Sequence, residues 1–394
     1  MVSYENYKLV QITVGNKQEA IDLEKKFPES NETKLFLPAI VERPGSYLFS
    51  ESSFEKLKQT KFRYNVLNEN FQRTLDEEEQ VTRMQNVYGR RILHTFPTHA
   101  AINEYIEELA LQNQSLASVE VIGYSYENRE MKIIKIGRGH KEGTKPIIWI
   151  DAGIHAREWA TPVTALFIIS SLLEDYSTDP ITKALVDKYD WYILPSANPD
   201  GYEYTRVGDR LWRKTRSLQV GNCIGADPNR NWDFHWNEVG ASYNPCSDTY
   251  AGPKAFSEKE TSAMSNYIFR HKNLIKVYLT IHSYSQMILT PYGHSYFLPP
   301  NFREIMAKAK IMENAFYKTH GKRFRSGPPP YLLYPVGGGS YDWAHQVCGI
   351  PYAFAFELRP DQNSRNGFVL PVNQIQATGE ETWAAVKSLA QSLE

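Results

Sequence analysis

Apolar and polar residues alternate in short runs along the first part of the chain. Val10, Ile12 and Val14 recur at every second position, which is the period of a half-buried strand. Asn16 followed by Glu19 is typical of a capping box and predicts a helix that runs to about Phe27. Further strands are predicted at Leu35 to Ile40, Tyr47 to Phe49 and Phe62 to Leu67, with a helix at Ser52 to Gln59. The strand-helix-strand-strand-helix-strand order predicts a small ferredoxin-like α+β domain.

The stretch from Asn70 to Arg91 has a different character. It combines the acidic block Asp76 to Glu79 with clustered arginines and has little apolar periodicity beyond one possible exposed helix. We interpret it as a connector. Because 394 residues exceed the usual size of a single core, we expect two domains, residues 1–91 including a connector at about 70–91, and residues 92–394.

Beyond the connector, buried-strand patterns alternate with helical ones. The apolar or β-branched runs are Ile147 to Ile150, Trp191 to Leu194, Val277 to Ile281 and Tyr352 to Phe356. Thr161 to Leu173 is typical of a buried helix. This alternation predicts an α/β domain with a mixed, largely parallel sheet flanked by helices.

Composition narrows the classes of partner. Hydrophobic residues make up 42% and charged residues 23% of the chain, as in ordinary globular proteins. The net charge of -1 and the lack of a concentrated basic stripe argue against nucleic acid. No apolar run approaches the roughly 20 residues needed to cross a bilayer, so we expect no membrane partner. The first residues lack the features of a signal peptide, and a secreted chain without its signal would look the same.

The three cysteines are unevenly placed. Cys223 and Cys246 enclose a polar segment that a disulfide could staple, whereas Cys348 sits beside apolar residues and is typical of a buried thiol. Two glycosylation sequons, at Asn31 and Asn113, also fit secretion.

Candidate metal ligands follow two of the predicted strands. His155 and Glu158 come just after the run that ends at Asp151, and His282 follows a second apolar strand. Strand carboxyl ends are where open α/β sheets bind ligands. Two imidazoles and one carboxylate would leave a zinc ion one open position for water. A His-x-x-Glu motif by itself is more often an ordinary surface pair than a metal site. Asp227, however, offers a carboxylate that could orient the ring of His155. The alternative for Asp227 is a turn cap.

These segments together closely resemble the pancreatic-type zinc metallocarboxypeptidases in their proenzyme form. The likeness spans nearly the whole chain, and its segments match in order and spacing. They are Asp151 to Trp159, Asn198 to Tyr202, Arg210 to Arg216, Asn229 to Trp232, Thr280 to Tyr284 and Phe356 to Arg359. The resemblance implies one zinc ion held by His155, Glu158 and His282, and an α/β peptidase domain preceded by an inhibitory pro-domain.

Two further residues match the family's catalytic positions. Glu357 lies at the end of an apolar strand, where desolvation would raise its pKa toward that of a general base; the alternative is a strand-end carboxylate paired with Arg359. Arg213 would stabilise the developing oxyanion, whereas without the resemblance it would be a solvated basic turn. Arg230, aided by Asn229, is suited to bidentate pairing with a substrate's terminal carboxylate.

Other positions match substrate contacts of the family. Tyr334 corresponds to a mobile tyrosine that folds over bound substrate, and Tyr331 is a less favoured substitute for that role. The alternative interpretation of Tyr334 is an aromatic residue of the core. Arg157 matches a position that contacts residues further along the substrate. On its own it would be a surface charge.

Tyr341 departs from the family pattern. It stands before Asp342-Trp343, where an acid selects basic C-terminal residues and an apolar residue selects apolar ones. A phenol supplies no negative charge, so burying Lys or Arg against it would be costly. The resemblance therefore implies a neutral, A-like preference, with Leu333, Gly293 and Ala355 expected along the pocket wall.

The resemblance also implies latency. A trypsin-like protease should activate the chain by cutting near Arg90 or Arg91, with Arg83 as an alternative, and release a module that covers the cleft. The expected partners are peptide and protein C-termini, the activating protease and proteinaceous carboxypeptidase inhibitors, and the expected product is a secreted, monomeric digestive enzyme. Two other readings compete with this one, a non-catalytic binding module of the same fold and a B-type enzyme for basic termini.

Overall fold

The computed structural model describes residues 1–41, 43–87, 92–139 and 144–393, and only the backbone of 84–87. Two sheets are present in these ranges, one of four strands and one of eight. The strands are β1 (Lys8–Thr13), β2 (Thr33–Leu37), β3 (Gly45–Phe49), β4 (Arg63–Asn68), β5 (Ala117–Tyr124), β6 (Glu130–Ile136), β7 (Ile147–Ala152), β8 (Asp190–Leu194), β9 (Ile275–Ser285), β10 (Met287–Leu289), β11 (Arg325–Gly327) and β12 (Tyr352–Asp361). The helices are α1 (Lys17–Lys26), α2 (Glu51–Lys58), α3 (Phe71–Val87), α4 (His99–Gln112), α5 (Ala160–Glu174), α6 (Pro180–Lys188), α7 (Pro199–Val207), α8 (Lys259–His271), α9 (Phe302–His320), α10 (Pro329–Leu332), α11 (Ser340–Gln346) and α12 (Ile375–Gln391).

The four-stranded sheet belongs to residues 1–87, which we call the N-terminal module. Its strand order is β2-β3-β1-β4, with antiparallel neighbours throughout. Helix α1 begins after Asn16, whose side chain accepts a hydrogen bond from the backbone N–H of Glu19. The predicted strand-helix-strand-strand-helix-strand order is confirmed.

Both faces of this small sheet are covered. Val10 and Ile12 of β1 pack with Leu23 of α1 and Leu57 of α2, as the period of two requires. Leu9, one position away on the opposite face, packs with residues of the rest of the chain. The module is therefore buried on one side by its own helices and on the other by residues 92–393, which we call the main body.

Most of the predicted connector forms helix α3, Phe71–Val87. Phe71, Leu75, Glu78 and Thr82 are buried, and their spacings of four, three and four residues place them on one helical face. The expectation of an exposed helix is thus wrong for this face, because it packs against the main body. Arg83 is exposed on the other side.

The main body is built on the eight-stranded sheet, ordered β11-β10-β12-β9-β7-β8-β6-β5. The four central strands β12, β9, β7 and β8 are parallel, whereas β10 and β6 run antiparallel to them. Apolar side chains of α4, α5, α9 and α12 cover one face, and those of α8 and α11 cover the other. The predicted mixed, largely parallel α/β sheet flanked by helices is confirmed.

The central strands also fix where polar groups meet. In the parallel pairing of β9 with β12, His282 is the register partner of Glu357. On the other side of β9, Asp151 of β7 is the partner of Thr280. His155 follows the end of β7. Since parallel strands end at one edge, the sheet brings these groups together at its carboxyl edge.

Candidate active site

Three possible metal ligands converge at this edge. Each of His155, Glu158 and His282 offers one ligand atom within 4.8 Å of the others, and all three side chains are buried. The Nδ1 atoms of the two histidines lie 3.2 Å apart, and Glu158 Oε1 is 2.8 Å from Nδ1 of His155. Two imidazole nitrogens and a carboxylate are the donor set of a catalytic zinc site with one position left open, so these residues fit the ion.

A carboxylate holds the far side of the first ring. Asp227 Oδ1 lies 3.2 Å from Nε2 of His155, and its other oxygen accepts from Nε of Arg213 at 3.0 Å. Although burial opposes ionisation, the Arg213 and Arg230 guanidinium groups hold the pKa of Asp227 well below its usual range. Burial, assisted by Arg213, lowers the pKa of His155 and favours the neutral imidazole that a metal requires. Asp227 is therefore more than a turn cap.

The ring of His282 is oriented by residues for which no role was apparent from the sequence. Thr280 Oγ1 lies 3.2 Å from Nε2 of His282 and donates to Asp151 at 2.6 Å. Trp149 Nε1 in turn donates to the same carboxylate at 2.8 Å. The signal available in the sequence was the position of Thr280, two residues before the histidine on the same face of the strand.

Glu357 lies beside the ligands in a weakly solvated position. Desolvation, together with the nearby Glu158 carboxylate, raises its pKa to about 8, although His282 and Arg213 act in the opposite direction. Arg359 does not pair with it, since Nε and Nη2 of that guanidinium bind Glu381 at 2.7 and 2.6 Å. The alternative of a Glu357–Arg359 pair is wrong.

These groups open into one cleft. Its lining contains the three ligands, the base candidate, the predicted substrate-binding residues 229, 230, 334 and 341, and a segment of the N-terminal module. The lining residues are Phe36, Leu37, Pro38, His155, Glu158, Arg213, Asn229, Arg230, His282, Ser283, Tyr284, Leu289, Pro329, Leu333, Tyr334, Val336, Tyr341, Ala355, Glu357 and Phe368. Of the expected wall residues, Leu333 and Ala355 line the cleft directly.

The guanidinium groups of the cleft are held rigidly. Arg230 donates through Nε to the carbonyl of Gly240 at 2.8 Å and through Nη2 to the Tyr334 hydroxyl at 3.2 Å. Asn229 Oδ1 accepts from the backbone N–H of Ser340 at 3.0 Å, which fixes its amide. Burial opposes the charge of Arg213, yet Asp227 and then Glu158 raise its pKa above the usual value. Tyr331, the alternative to Tyr334, is exposed and lies outside the cleft lining.

Arg157 is not in this lining. It is buried between the two parts of the chain, where Nη2 donates to the carbonyl of Leu35 at 3.4 Å and the guanidinium lies 4.1 Å from the ring centroid of Phe368. The reading of Arg157 as a surface charge is wrong for this chain, and its predicted contact with substrate stays a prediction.

The cysteines are arranged as predicted. Cys223 and Cys246 form a disulfide with Cα atoms 4.9 Å apart. Cys348 is a free, buried thiol. The proposed cleavage positions Arg90 and Arg91 lie outside the described residues.

Comparison with known proteins agrees with this geometry. Residues 102–385 match the family described as zinc carboxypeptidase. Carboxypeptidase A2 of Mus musculus is 41% identical over 83% of this chain and 78% of its own length, and carboxypeptidase B of Astacus astacus is 46% identical over 73% and 94%. The crystal structure of carboxypeptidase A from Helicoverpa armigera superposes with a TM-score of 0.89 at 30% identity, covering 98% of this chain and 97% of that one. Bovine thrombin-activatable fibrinolysis inhibitor, solved with a tick carboxypeptidase inhibitor, gives 0.71 at 35% identity, covering 76% and 98%.

The chain belongs to the zinc carboxypeptidase family. It is a metallocarboxypeptidase, a peptide hydrolase whose cofactor is zinc. Its relatives include enzymes named both A and B, so family membership alone does not decide its C-terminal preference. Among the described residues, no helix has the length and apolarity required to span a membrane.

Proposed function

We propose that this chain is the zymogen of a secreted metallocarboxypeptidase that removes neutral, apolar residues from the C-termini of peptides and proteins. The observation that carries the proposal is that one cleft contains the His155, Glu158 and His282 donor set, a carboxylate of raised pKa and the guanidinium groups of Arg213 and Arg230. A non-catalytic relative would have no need to keep all of these groups together.

The cleft residues divide the chemistry among them. His155, Glu158 and His282 would hold a zinc ion, which would supply a Lewis acid for water and for the scissile carbonyl. Glu357 takes the proton from the attacking water and passes it to the leaving amine. Arg213, fixed by Asp227 at 3.0 Å, stabilises the negative charge that develops on the carbonyl oxygen.

The other side of the cleft confines cleavage to the chain end. Arg230 is suited to pair with the terminal carboxylate of the substrate, and Asn229 adds an amide donor beside it. Tyr334, which accepts from Arg230 here, closes over bound substrate and excludes water. Arg157 contacts residues further along the substrate once the N-terminal module has left.

The position of the N-terminal module supports latency. Phe36, Leu37 and Pro38 form part of the cleft lining, beside the metal ligands. The module is anchored away from the cleft by the buried pair of Glu78 with Arg210, whose Nη2 lies 2.8 Å from Oε1. These contacts favour a steric lid over a preformed site, released by trypsin-like cleavage near Arg90 or Arg91.

The loop that follows Glu357 also contacts the module. Asn363 Oδ1 accepts from Gln11 Nε2 at 2.9 Å, and the carbonyl of Arg365 accepts from Asn68 Nδ2 at 3.1 Å. The ring of Phe368 packs on Phe36 with centroids 4.9 Å apart. This loop therefore helps to hold the lid in place.

The cleft, the inhibitor complex of a relative and the disulfide support the proposed substrate preference, partners and location. Tyr341 offers no negative charge at the pocket floor, so Lys and Arg are disfavoured, as in A-type enzymes. The bovine relative solved with a tick inhibitor supports proteinaceous inhibitors as partners. The Cys223–Cys246 disulfide supports an oxidising, extracellular location, and we propose a monomeric digestive enzyme.

The test is hydrolysis of matched peptides that end in Leu, Phe or Arg, before and after trypsin and with or without a zinc chelator. We expect trypsin-dependent, chelator-sensitive release of Leu and Phe and poor release of Arg. Activity that survives complete metal removal would refute the mechanism. Full activity of the uncut chain would refute only the proposal that the chain is a zymogen. Preferred release of Arg would refute only the proposed preference for apolar residues.

A further inference from the structure

A ladder of polar side chains runs along one face of strands β7 and β9 toward the metal site. Trp149 and Asp151 belong to β7, and Asp151 is the register partner of Thr280 on β9, two residues before His282. Side chains two positions apart on a strand point to the same face, and register partners lie side by side, so these four groups share one face of the sheet. None of the four is more than 1% exposed. Their polar atoms therefore need partners inside the protein.

The hydrogen bonds of this ladder all point in one direction. Trp149 Nε1 can only donate, and it donates to Asp151 Oδ2 at 2.8 Å. The Thr280 hydroxyl donates its single hydrogen to the other oxygen, Asp151 Oδ1, at 2.6 Å. The same hydroxyl oxygen lies 3.2 Å from Nε2 of His282, and because it has no second hydrogen, it can only accept there. This count assigns the ring hydrogen of His282 to Nε2 and leaves a lone pair on Nδ1.

The lone pair is then on the nitrogen that faces the other metal ligands. Nδ1 of His282 lies 3.2 Å from Nδ1 of His155 and 3.5 Å from Oε2 of Glu158. A metal needs a nitrogen without hydrogen at this position, whereas the opposite tautomer would present an N–H group to it. His155 has Asp227 directly behind its ring. Behind His282, by contrast, the hydroxyl of Thr280 stands between the ring and the nearest carboxylate of the ladder.

We propose that Thr280 and Asp151 are positioning residues that select the Nε2–H tautomer of His282 and so keep its Nδ1 free for the metal. The proposal concerns the zinc site and does not depend on latency or on C-terminal preference. Trp149 gives the ladder its direction. Because its N–H group must face an oxygen, an amide at position 151 would turn its NH2 group toward Thr280, whose hydroxyl would then donate to Nε2. Asp151→Asn should therefore reverse the tautomer while it preserves the shape of the side chain.

The first measurement is the Kd of zinc for the full chain, obtained by competition with a fluorescent chelator. Thr280→Val keeps the shape of the side chain and removes the hydroxyl, whereas Thr280→Ser keeps the hydroxyl. Thr164→Val is the matched control, because Thr164 is equally buried and its hydroxyl has no partner among the described residues. We expect Kd to rise about 10–100-fold in Thr280→Val and Asp151→Asn, and to stay within about threefold of the wild type in Thr280→Ser and Thr164→Val. A Thr280→Val chain within about threefold of the wild type, or equal losses in Thr280→Ser, would overturn the proposal.

The second measurement reports the tautomer itself and needs neither zinc nor activity. Long-range proton–nitrogen NMR spectra of the metal-free full chain with labelled histidine, at a pH where the ring is neutral, distinguish a hydrogen on Nε2 from one on Nδ1. The spectrum of His282→Gln assigns the signals. We expect Nε2–H in the wild type and Nδ1–H in Asp151→Asn; Nδ1–H in the wild type, or the same tautomer in both chains, would sink the proposal. A wild type that binds no zinc would refute the zinc site and the proposed function together, and the tautomers would still decide the roles of Thr280 and Asp151.

Discussion

A single buried ion pair can test whether the N-terminal module holds the enzyme latent. Glu78 of α3 binds Arg210 of the main body through Nε at 2.5 Å and Nη2 at 2.8 Å, and the two side chains are 4% and 5% exposed. The neighbouring Glu79 makes an i,i+4 pair with Arg83 on the exposed side of the same helix. Glu78→Gln and Glu79→Gln are therefore the same substitution in two environments.

The expected magnitudes differ widely. Removing one partner of a buried pair costs about 3–5 kcal/mol, because the other charge stays buried. The guanidinium of Arg210 keeps a hydrogen bond to the Arg157 carbonyl at 2.9 Å and stacks on Trp159 at 3.8 Å, so we take the lower value, about 3 kcal/mol. This cost falls only on the state in which the N-terminal module is docked, so the fraction of molecules with an undocked module rises about 150-fold. The exposed pair of Glu79 with Arg83 contributes about 0.3–0.5 kcal/mol, so its loss changes the undocked fraction about twofold.

The assay is hydrolysis of a small peptide by the uncut chain, normalised to the activity of the same sample after trypsin. We expect Glu78→Gln to raise the uncut activity about 150-fold, up to the ceiling set by the cut enzyme, and Glu79→Gln to stay within about twofold of the wild type. Equal effects of the two variants, or no effect of either, would refute docking of α3 as a source of latency. Thermal unfolding of the uncut variants controls for unfolding of the N-terminal module itself, because the cut enzymes share one sequence.

Three more predictions follow from the site and the core. Metal analysis should find about one zinc per chain, and Glu357→Gln should keep that zinc while kcat falls by several orders of magnitude, because an amide cannot accept the proton of water. Arg230→Gln should raise KM for peptides with free C-termini, and an equal loss on C-terminally amidated peptides would contradict its role. Burial raises the pKa of Glu260 from 4.5 to about 7, so the folded state binds the extra proton and stability falls as pH rises between these values. At pH 8, Glu260→Gln should therefore increase the free energy of unfolding on the order of 3 kcal/mol and raise Tm, whereas near pH 4 it should leave Tm almost unchanged. A Tm difference that does not depend on pH would disprove the raised pKa of Glu260.

Much of the fold could be predicted from local patterns. Strand β7 and helix α5 depend on a short apolar run and on a longer run typical of a buried helix, and both features are contained within the segment itself. The connector shows the limit of such patterns. Its charges predicted an exposed helix, but Glu78 is buried because a guanidinium 132 residues away neutralises it.

The sequence by itself determined the family, the zinc donor types and the strand ends that carry them, because chemistry at a strand end needs particular residues at short, fixed spacings. Only the tertiary structure decided that Phe36, Leu37 and Pro38 line the same cleft as the donors and that Arg157 contacts the N-terminal module. It also decided that the Tyr341 hydroxyl lies close to Gly293 and has no hydrogen-bond partner in the part of the chain that the structure describes. Each of these contacts joins residues about 50 or more positions apart. Hydrophobic periodicity reports which face of an element is buried, but not which distant surface covers that face.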